Sequence, residues 1–329
     1  MIKIIQIGLG PIGQQLTRYL TERKGIQVVG GVDLDPAKTG KDLGELAGIN
    51  ERGGLVHPDL GSAMAKTKAD VAVISTVSSL QKIESQIKEA ADFKLHIVST
   101  CEELMCPFDL QPEIAERINQ YCKEKGVACI GTGVNPGFLM DYLPAVLTSV
   151  CQKVDHVKVD RYQDASSRRV PFQQKIGAGL TQAELKEKGD SIRHVGLKES
   201  VYLLARALGW EMEKVEETLT PVFAEERIEL DQILIEKGNI VGVEQIAKGY
   251  KNNEEVISLN FKAAVGLRRS YDSIEITGNP GFRSVIDGGV NGDVATSAII
   301  VNTIRSVIAV NPGLRTMLEI PAPAYYSQV

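Results

Sequence analysis

The sequence predicts an α/β fold in two parts: a doubly wound parallel sheet, followed by an α+β domain with an open, mostly antiparallel sheet. Over residues 1–150, short apolar runs alternate with amphipathic segments of helical period, which is typical of βαβ units. Over residues 151–291 the apolar runs are longer and alternate with polar residues, and the hairpin signal Asn252-Asn253 separates two of them. A last helix and its tail, residues 292–329, are expected to complete the first domain.

The elements of the first domain follow from local patterns in chain order. Short, β-branched apolar runs predict strands, and apolar residues three and four apart predict the crossover helices. The predicted strands are Ile2–Ile7, Val28–Val32, Val71–Ile74, Leu95–Val98 and Val127–Ile130, and the predicted helices are Pro11–Arg23, Ile83–Ala91 and Ile114–Lys125.

In the second domain, alternation of apolar and polar residues predicts strands with one face toward a core. The predicted strands are His156–Tyr162, Val215–Phe223, Asp231–Glu236, Ile240–Tyr250, Glu255–Val265 and Ser273–Thr277. One amphipathic helix, Leu197–Leu208, interrupts them. The last helix, Val294–Val310, has apolar residues at helical spacing and is expected to pack on the first domain.

Composition and charge narrow the class of protein. The 329 residues carry a net charge of −5, which argues against a nucleic-acid partner because nothing here would neutralise a phosphate backbone. No apolar run is long enough to span a membrane, and the chain starts on a strand, so neither a membrane anchor nor a signal peptide is expected. The five cysteines form no CxxC pair, so we expect no metal site and a reducing, cytoplasmic location.

A glycine-rich motif follows the first strand. Gly8-Leu9-Gly10-Pro11-Ile12-Gly13 fits G-x-G-x-x-G and opens a helix, the context that this pattern requires. Gly8 permits the tight turn, Gly10 lets a pyrophosphate approach the backbone, and Gly13 permits close helix–strand packing, while the helix N-terminus attracts phosphate. Pro11 suits the first helical turn. The motif predicts a Rossmann-type domain that binds NAD or NADP.

Asp33 ends the second strand, about 20 residues after the motif, where an acidic residue hydrogen-bonds the adenosine ribose. Its charge favours NAD over NADP because it repels a 2′-phosphate. Lys38 and Lys41 follow closely and act in the opposite direction, so the sequence leaves the choice open.

Small polar residues follow three more strands, and ligands of open parallel sheets lie beyond the carboxyl ends of the strands. We expect these segments to line the cofactor. Two adjacent carboxylates, Glu102 and Glu103, lie just past the predicted strand Leu95–Val98. If this segment is extended, the two glutamates point to opposite faces. The predicted cofactor contacts are Ser75 and Thr76, Thr100 and Cys101, and the glycine-rich turn of Asn135, Pro136 and Gly137.

The loop after the first strand of the second domain is basic. Arg168, Arg169 and Lys175 are candidates to hold a substrate carboxylate, although a solvated basic loop is an equal alternative. Asp293 is expected to cap the last helix.

Several of these stretches together resemble the 2,4-diaminopentanoate dehydrogenase family, whose relatives include the native amine dehydrogenases. The resemblance covers nearly the whole chain. It is carried by Gly8–Gly13, Ser99–Leu104, Gly131–Phe138, Pro171–Gly179 and Gly292–Ser297.

The resemblance implies oxidative deamination of an amine to a ketone and ammonia, reversible as reductive amination. It also implies a homodimer built through the sheet of the second domain. Glu102 matches the family's catalytic acid/base, and Glu103 and Phe138 are further candidates for substrate binding.

Two alternatives stay open from the residues alone. The cofactor domain is also similar to that of dihydrodipicolinate reductase, which reduces a cyclic substrate. The chain lacks that enzyme's His-His pair and its Lys-x-Asp-x-Pro-Ser-Gly-Thr stretch, which makes this alternative weaker. The other alternative is a redox sensor that binds NAD without turning it over.

Overall fold

The computed structural model of the chain describes residues 1–50, 53–188, 196–230 and 233–327. The chain divides into two compact units, Met1–Phe138 with Val294–Val329, and Leu139–Asp293.

The boundary after the first unit lies at residue 138, whereas the sequence placed it at 150. The intervening helix belongs to the second unit because Asp141, at its N-terminus, accepts a hydrogen bond from Ser200 of that unit. The Ser200 Oγ to Asp141 Oδ2 distance is 2.7 Å, and both residues are fully buried.

The strands and helices are numbered in chain order. The strands are β1 Ile2–Ile7, β2 Ile26–Val32, β3 Val56–His57, β4 Val71–Ile74, β5 His96–Ser99, β6 Ala128–Gly131, β7 Lys153–Asp164, β8 Lys214–Phe223, β9 Ile228–Leu230, β10 Ile233–Ile235, β11 Ile240–Lys251, β12 Glu254–Ala264, β13 Tyr271–Asn279, β14 Phe282–Asp287 and β15 Gly313–Arg315. The helices are α1 Pro11–Thr21, α2 Leu43–Ala47, α3 Leu60–Met64, α4 Leu80–Asp92, α5 Pro107–Leu110, α6 Pro112–Lys125, α7 Tyr142–Leu147, α8 Val170–Lys175, α9 Gln182–Lys188, α10 Leu197–Ala207 and α11 Gly292–Ile308. Two 3₁₀ turns span Glu102–Leu104 and Thr148–Val150.

The first unit is built on a seven-stranded sheet in the order β15-β6-β5-β4-β1-β2-β3. Every pairing in this order is parallel, which confirms the predicted doubly wound sheet. Strands β1, β4, β5 and β6 are mostly buried because helices cover both faces of such a sheet. The order reverses between β1 and β4, and ligands bind at such a switch point.

All the predicted cofactor contacts of the first unit follow strands of this sheet. The glycine motif follows β1, Asp33 follows β2, and Ser75 follows β4. The Glu102–Leu104 turn follows β5, and the Asn135 turn follows β6. Since the strands are parallel, these segments all lie at the carboxyl edge of one sheet.

The second unit contains a six-stranded sheet in the order β14-β13-β7-β12-β11-β8. Only the pair β7 and β12 is parallel, so the sheet is mostly antiparallel, as predicted. Asn252 and Asn253, both with positive φ, form the tight turn between β11 and β12. The predicted strand Asp231–Glu236 begins outside the described residues, and β10 is its described part.

The sequence pattern missed four of the described strands. The strands β3, β9 and β15 are only two or three residues long, and the edge strand β14 has partly exposed residues throughout. None of the four produces the long alternation or the apolar run that marks a strand in a sequence. Among the helices in the described part of the chain, none is long and apolar enough to cross a membrane.

Candidate active site

The glycine motif forms a tight turn against the neighbouring strand end. Gly8 has a φ of 86°, and a Cβ there would lie 2.9 Å from the Ser75 carbonyl oxygen. A Cβ on Gly13 would lie 1.9 Å from the Gly8 carbonyl oxygen, so only glycine fits at this crossing of helix and loop. A Cβ on Gly10 would meet nothing within 4 Å. Gly10 therefore borders open space, as a residue approached by a pyrophosphate must.

Helix α1 begins directly after this turn, with Pro11 in its first turn. The N-cap residue is Gly10, and no side chain in the described part of the chain caps the helix. The amides of the first turn, including that of Ile12, are thus left for an external acceptor, and the helix dipole favours an anion there.

Asp33 is tied to the glycine motif by its own carboxylate. Oδ2 accepts hydrogen bonds from the Leu9 amide at 2.7 Å and from Lys38 Nζ at 3.0 Å, and Oδ1 accepts one from the Asp35 amide at 2.9 Å. Burial acts to raise the pKa of Asp33, but these hydrogen bonds outweigh it and hold the pKa below its usual value. Asp33 is therefore ionised, and Lys38 offsets its charge.

Ser75 and Thr76 differ in their surroundings. Ser75 Oγ lies 3.1 Å from the Gly8 carbonyl oxygen and accepts a hydrogen bond from Gln6 Nε2 at 2.9 Å, so it supports the glycine turn from behind. Thr76 is exposed and donates to Gln86. Gln6 was missed by the sequence reasoning, although a glutamine inside an apolar strand was a visible signal.

The segment carrying the two glutamates is a 3₁₀ turn and not the extended chain that was considered. The Leu104 amide donates to the Cys101 carbonyl and the Met105 amide to that of Glu102, both at 3.1 Å. The turn packs on β6, because a Cβ on Gly131 would lie 2.8 Å from the Leu104 backbone. Glu102 is half-buried at the end of β5.

Glu103 has a structural role in this turn. Its Oε2 accepts hydrogen bonds from the Leu80 amide, in the first turn of α4, and from Gln111 Nε2, both at 2.8 Å. Its own amide donates to the Ser78 carbonyl at 3.2 Å. Glu103 thus connects the turn to the segment after β4. The two glutamates point differently because successive residues of a 3₁₀ helix are rotated by roughly 120°.

Thr100 and Cys101 lie between β5 and this turn. The Thr100 amide donates to the Ile74 carbonyl, and the Cys101 amide donates to Ser99 Oγ. The Cys101 side chain is fully buried in the apolar core, and burial raises the pKa of its thiol to about 12. The thiol is consequently neutral and faces away from solvent.

The turn after β6 is closely packed. The Thr132 amide donates to the Ser99 carbonyl at 2.9 Å, which joins the ends of β5 and β6. Gly137 has a φ of 118°, and a Cβ there would lie 2.7 Å from the Gly133 nitrogen and 3.3 Å from Met105 Sδ. The peptide between Asn135 and Pro136 is cis. Met105, which the sequence did not single out, therefore packs both turns together.

Asn135 is the exception within this well-bonded region. Neither its Oδ1 nor its Nδ2 has a hydrogen-bond partner among the described residues, although both atoms are buried. An unpaired buried amide is costly, and such groups in native proteins call for an explanation.

In the second unit, two of the three predicted basic residues, Arg168 and Arg169, form an ion-pair cluster with Asp293. Arg168 binds Asp293 with two hydrogen bonds, Nε to Oδ2 at 2.8 Å and Nη2 to Oδ1 at 3.0 Å, and stacks on Phe172 with 3.8 Å to the ring centre. Arg169 Nε donates to Asp293 Oδ1 at 2.8 Å. The side chain of Arg168 is 8% exposed and that of Arg169 is 34% exposed.

The expectation that Asp293 caps α11 is wrong. Asn291 performs that role, since its Oδ1 accepts a hydrogen bond from the Asp293 amide at 3.0 Å. Burial acts to raise the pKa of Asp293, but Arg168 and Arg169 more than offset burial and lower the pKa. Lys175 ends the short helix α8 and also has an interaction partner. Phe138 is half-buried at the end of the first unit.

The first unit fits a nicotinamide dinucleotide by geometry. It offers open space at Gly10, uncapped amides at the start of α1, an ionised Asp33 and the unpaired amide of Asn135. No cluster of His, Cys, Asp and Glu side chains that could hold a metal ion is found in the described part of the chain.

Comparison with known protein families assigns both halves of the chain. Residues 138–328 match the 2,4-diaminopentanoate dehydrogenase C-terminal domain, and residues 2–127 match the dihydrodipicolinate reductase N-terminus. The likeness to the reductase family model thus ends before the second unit begins.

Individual relatives agree with these matches. The 2,4-diaminopentanoate dehydrogenase of Acetoanaerobium sticklandii is 28% identical, over 98% of this chain and 94% of the relative. An amine dehydrogenase of Streptomyces virginiae is 23% identical, over 66% of this chain and 62% of the relative.

A solved structure shares the fold of the whole chain. The amine dehydrogenase from Mycobacterium smegmatis superimposes with a TM-score of 0.87 at 23% identity, covering 100% of this chain and 98% of that chain. The family resemblance predicted from the sequence is confirmed. The chain belongs to the 2,4-diaminopentanoate dehydrogenase family and is an NAD(P)-dependent oxidoreductase of the amine dehydrogenase type.

Proposed function

We propose that the chain catalyses the reversible oxidative deamination of a small primary amine to a ketone and ammonia, with Glu102 as the acid/base. The observation that carries this proposal is the place of Glu102. It is a half-buried carboxylate at the end of β5, in a turn that packs against the turn of Asn135. Its neighbour Glu103 has its Oε2 committed to the scaffold, so the roles of the two glutamates are separated.

The chemistry requires a base at this position. An amine is mostly protonated near neutral pH, and an ammonium group cannot expel a hydride, so Glu102 first removes a proton from the nitrogen. The bound dinucleotide supplies the acceptor for the hydride that leaves the amine-bearing carbon. After releasing that first proton to solvent, the Glu102 carboxylate stabilises the iminium and accepts a proton from the attacking water, which it returns to the nitrogen as ammonia leaves. Ammonium amine, oxidised dinucleotide and water thus give ketone, ammonium, reduced dinucleotide and one proton.

For the dinucleotide, the predicted contacts remain our proposal. The amides of Gly10, Ile12 and Gly13 receive the pyrophosphate, and Asp33 the adenosine ribose. Thr76, Thr100 and the turn of Asn135, Pro136 and Gly137 line the path beyond. Ser75 and Cys101 contribute backbone and support, since the Ser75 hydroxyl holds Gly8 and the Cys101 thiol is buried.

The three basic residues predicted to bind a substrate carboxylate differ in their exposure and in their hydrogen bonds. Arg168 is nearly buried and makes two hydrogen bonds to Asp293, so we assign it to the scaffold. Arg169 keeps a third of its side chain exposed, and we propose it for the carboxylate of an amino acid substrate, with Lys175 as a weaker candidate. Arg169→Ala should then raise the KM for 2-amino-4-oxopentanoate and leave that for a simple ketone unchanged.

We also propose a homodimer formed through the open face of the second unit's sheet. On this face Tyr162 and Tyr271 stack with ring centres 4.8 Å apart, and His156 and Asp160 lie half-buried beside them. Aromatic residues of this kind are enriched at protein interfaces. Sedimentation of the pure protein at twice the 35.7 kDa of the chain would support the dimer, and a stable monomer would refute it.

A cytoplasmic location is proposed on the state of the cysteines. All five are free thiols, four of them buried. Disulfides form and persist in oxidising compartments, so free thiols fit a reducing one.

Ammonium dependence tests the proposed reaction. NADH and NADPH oxidation is measured with 2-amino-4-oxopentanoate and with a simple ketone such as cyclohexanone, each with and without ammonium. Oxidation that requires ammonium supports the amine dehydrogenase. Oxidation that ignores ammonium would mean that the ketone itself is reduced to an alcohol and would contradict the proposal, and dinucleotide binding without turnover would indicate a sensor.

A further inference from the structure

The side-chain amide of Asn135 is buried without satisfying its hydrogen bonds. Its oxygen and its nitrogen both lack partners among the described residues, and neither atom is accessible to solvent. Asn119 provides the contrast within the same unit. Its Oδ1 accepts a hydrogen bond from the Leu314 amide at 3.2 Å, and its Nδ2 donates to Glu116 Oε2 at 3.2 Å. The fold therefore provides hydrogen-bond partners for the side chain of a buried asparagine whose role is structural.

The backbone around Asn135 is fixed by close packing. Gly133 and Gly137 approach so closely that a Cβ on Gly137 would clash with the Gly133 nitrogen, and Met105 packs on the same turn. This packing fixes the backbone from which the Asn135 side chain projects.

The sheet places this amide on the nicotinamide side of the cofactor site. Three strand spacings separate β1, which carries the glycine motif, from β6, which carries Asn135, in the order β1-β4-β5-β6. At about 4.8 Å per spacing this is roughly 14 Å. With the pyrophosphate at the glycine motif and the adenosine toward Asp33 on β2, the other half of an extended dinucleotide points toward β5 and β6.

We propose that the side-chain amide of Asn135 binds the carboxamide of the nicotinamide ring. Each primary amide has one carbonyl acceptor and an NH₂ donor, so two facing amides can form a reciprocal pair that satisfies both orphaned atoms of Asn135. The pair would fix the rotation of the ring next to the Glu102 turn. This inference rests on the proposed cofactor site but not on the proposed substrate.

Binding of matched nucleotides tests this contact without turnover. Dissociation constants are measured by calorimetry for whichever of NADH and NADPH binds more tightly, and for the corresponding ADP-ribose, which lacks nicotinamide. Asn135→Ala should weaken binding of the dinucleotide about tenfold, the worth of one to two neutral hydrogen bonds, and leave ADP-ribose binding unchanged. Unchanged dinucleotide binding, or equal losses for both ligands, would overturn the proposal.

An analogue isolates the amide itself. In the 3-acetylpyridine dinucleotide a methyl group replaces the NH₂ of the carboxamide. Wild type should bind this analogue several-fold less tightly than the natural dinucleotide, and Asn135→Ala should discriminate much less. If the variant keeps the full discrimination, Asn135 does not read the carboxamide, even though the dinucleotide site itself remains established by the binding.

Thermal unfolding separates this role from a structural one. Removing an unsatisfied amide should leave the Tm of the nucleotide-free protein unchanged or raise it. The control Asn119→Ala should lower the Tm and leave the dissociation constants for both nucleotides at their wild-type values. A large fall in Tm for Asn135→Ala without nucleotide would contradict the proposal, because it would mean that the amide has partners in the protein.

Discussion

The turn after β6 and the arginine cluster of the second unit handle buried polar groups in opposite ways. In the cluster, Arg168 and Arg169 both bind Asp293, so the protein itself pairs this buried carboxylate. In the turn, the two side-chain amide atoms of Asn135 are buried and neither is paired. The sequence presents both regions as polar residues that follow strands and thus as candidates for a ligand site.

This difference is informative because a buried polar group affects the stability of the protein differently when it is paired and when it is unpaired. A buried polar group without a partner is destabilising unless something outside the chain completes it. A buried ion pair is complete, and removing one partner harms the scaffold. We therefore expect substitutions in the first unit's site to impair binding and catalysis, and substitution of Arg168 or Asp293 in the cluster to impair stability.

The largest effect is expected for Glu102→Gln. The amide cannot take a proton from the substrate, so turnover should fall by roughly 10²- to 10⁴-fold while dinucleotide affinity stays near wild type. Steady-state rates and calorimetric dissociation constants measure the two. Glu103→Gln is the matched control, and should reduce turnover far less because Glu103 acts on Leu80 and Gln111. Similar rates for both variants would remove the distinction between the glutamates.

Arg168→Ala should produce the largest loss of stability. It removes two hydrogen bonds to a mostly buried carboxylate, and with Arg169 still present we expect roughly 2–3 kcal/mol from urea unfolding. Arg269→Ala is the control in the same unit, since its pair with Asp287 is 74% and 82% exposed. That loss should be under about 1 kcal/mol. Equal losses would show that burial does not distinguish the two pairs.

Lys38→Ala should shift cofactor preference by a smaller factor. Lys38 offsets the charge of Asp33, and without it the carboxylate repels a 2′-phosphate more strongly. Because the pair is partly exposed, we expect the ratio of NADPH to NADH affinity to fall only about fivefold. An unchanged ratio in competitive binding would mean that Asp33 does not face the 2′ position.

The smallest effect is the pH dependence contributed by Asp293. Its pKa is lowered in the folded protein, so it contributes stability above its unfolded pKa of about 3.8 that is lost as pH falls below that value. The stability advantage of wild type over Asp293→Asn should therefore shrink as the protein is acidified, in unfolding measured from about pH 6 downward. An advantage that is constant with pH would indicate that Asp293 is not ionised in the folded state.

The sequence predicted the features that depend on local pattern. The glycine motif, Asp33 and most strands of the parallel sheet follow from residues close together in the chain. The cluster did not, because Arg168 and Asp293 are far apart in sequence and only the fold pairs them. The committed carboxylate of Glu103 likewise depends on Leu80 and Gln111, which no local pattern connects to it.

The most direct test of the central claim uses two isotopes in one reaction. A ketone is incubated with the enzyme, ¹⁵N-ammonium and the reduced dinucleotide carrying two deuterium atoms at C4, and the product is examined by mass spectrometry and NMR. We predict an amine with ¹⁵N and deuterium on the same carbon, since hydride transfer follows imine formation. A deuterated alcohol without ¹⁵N, or a product that carries neither isotope, would contradict the assignment as an amine dehydrogenase.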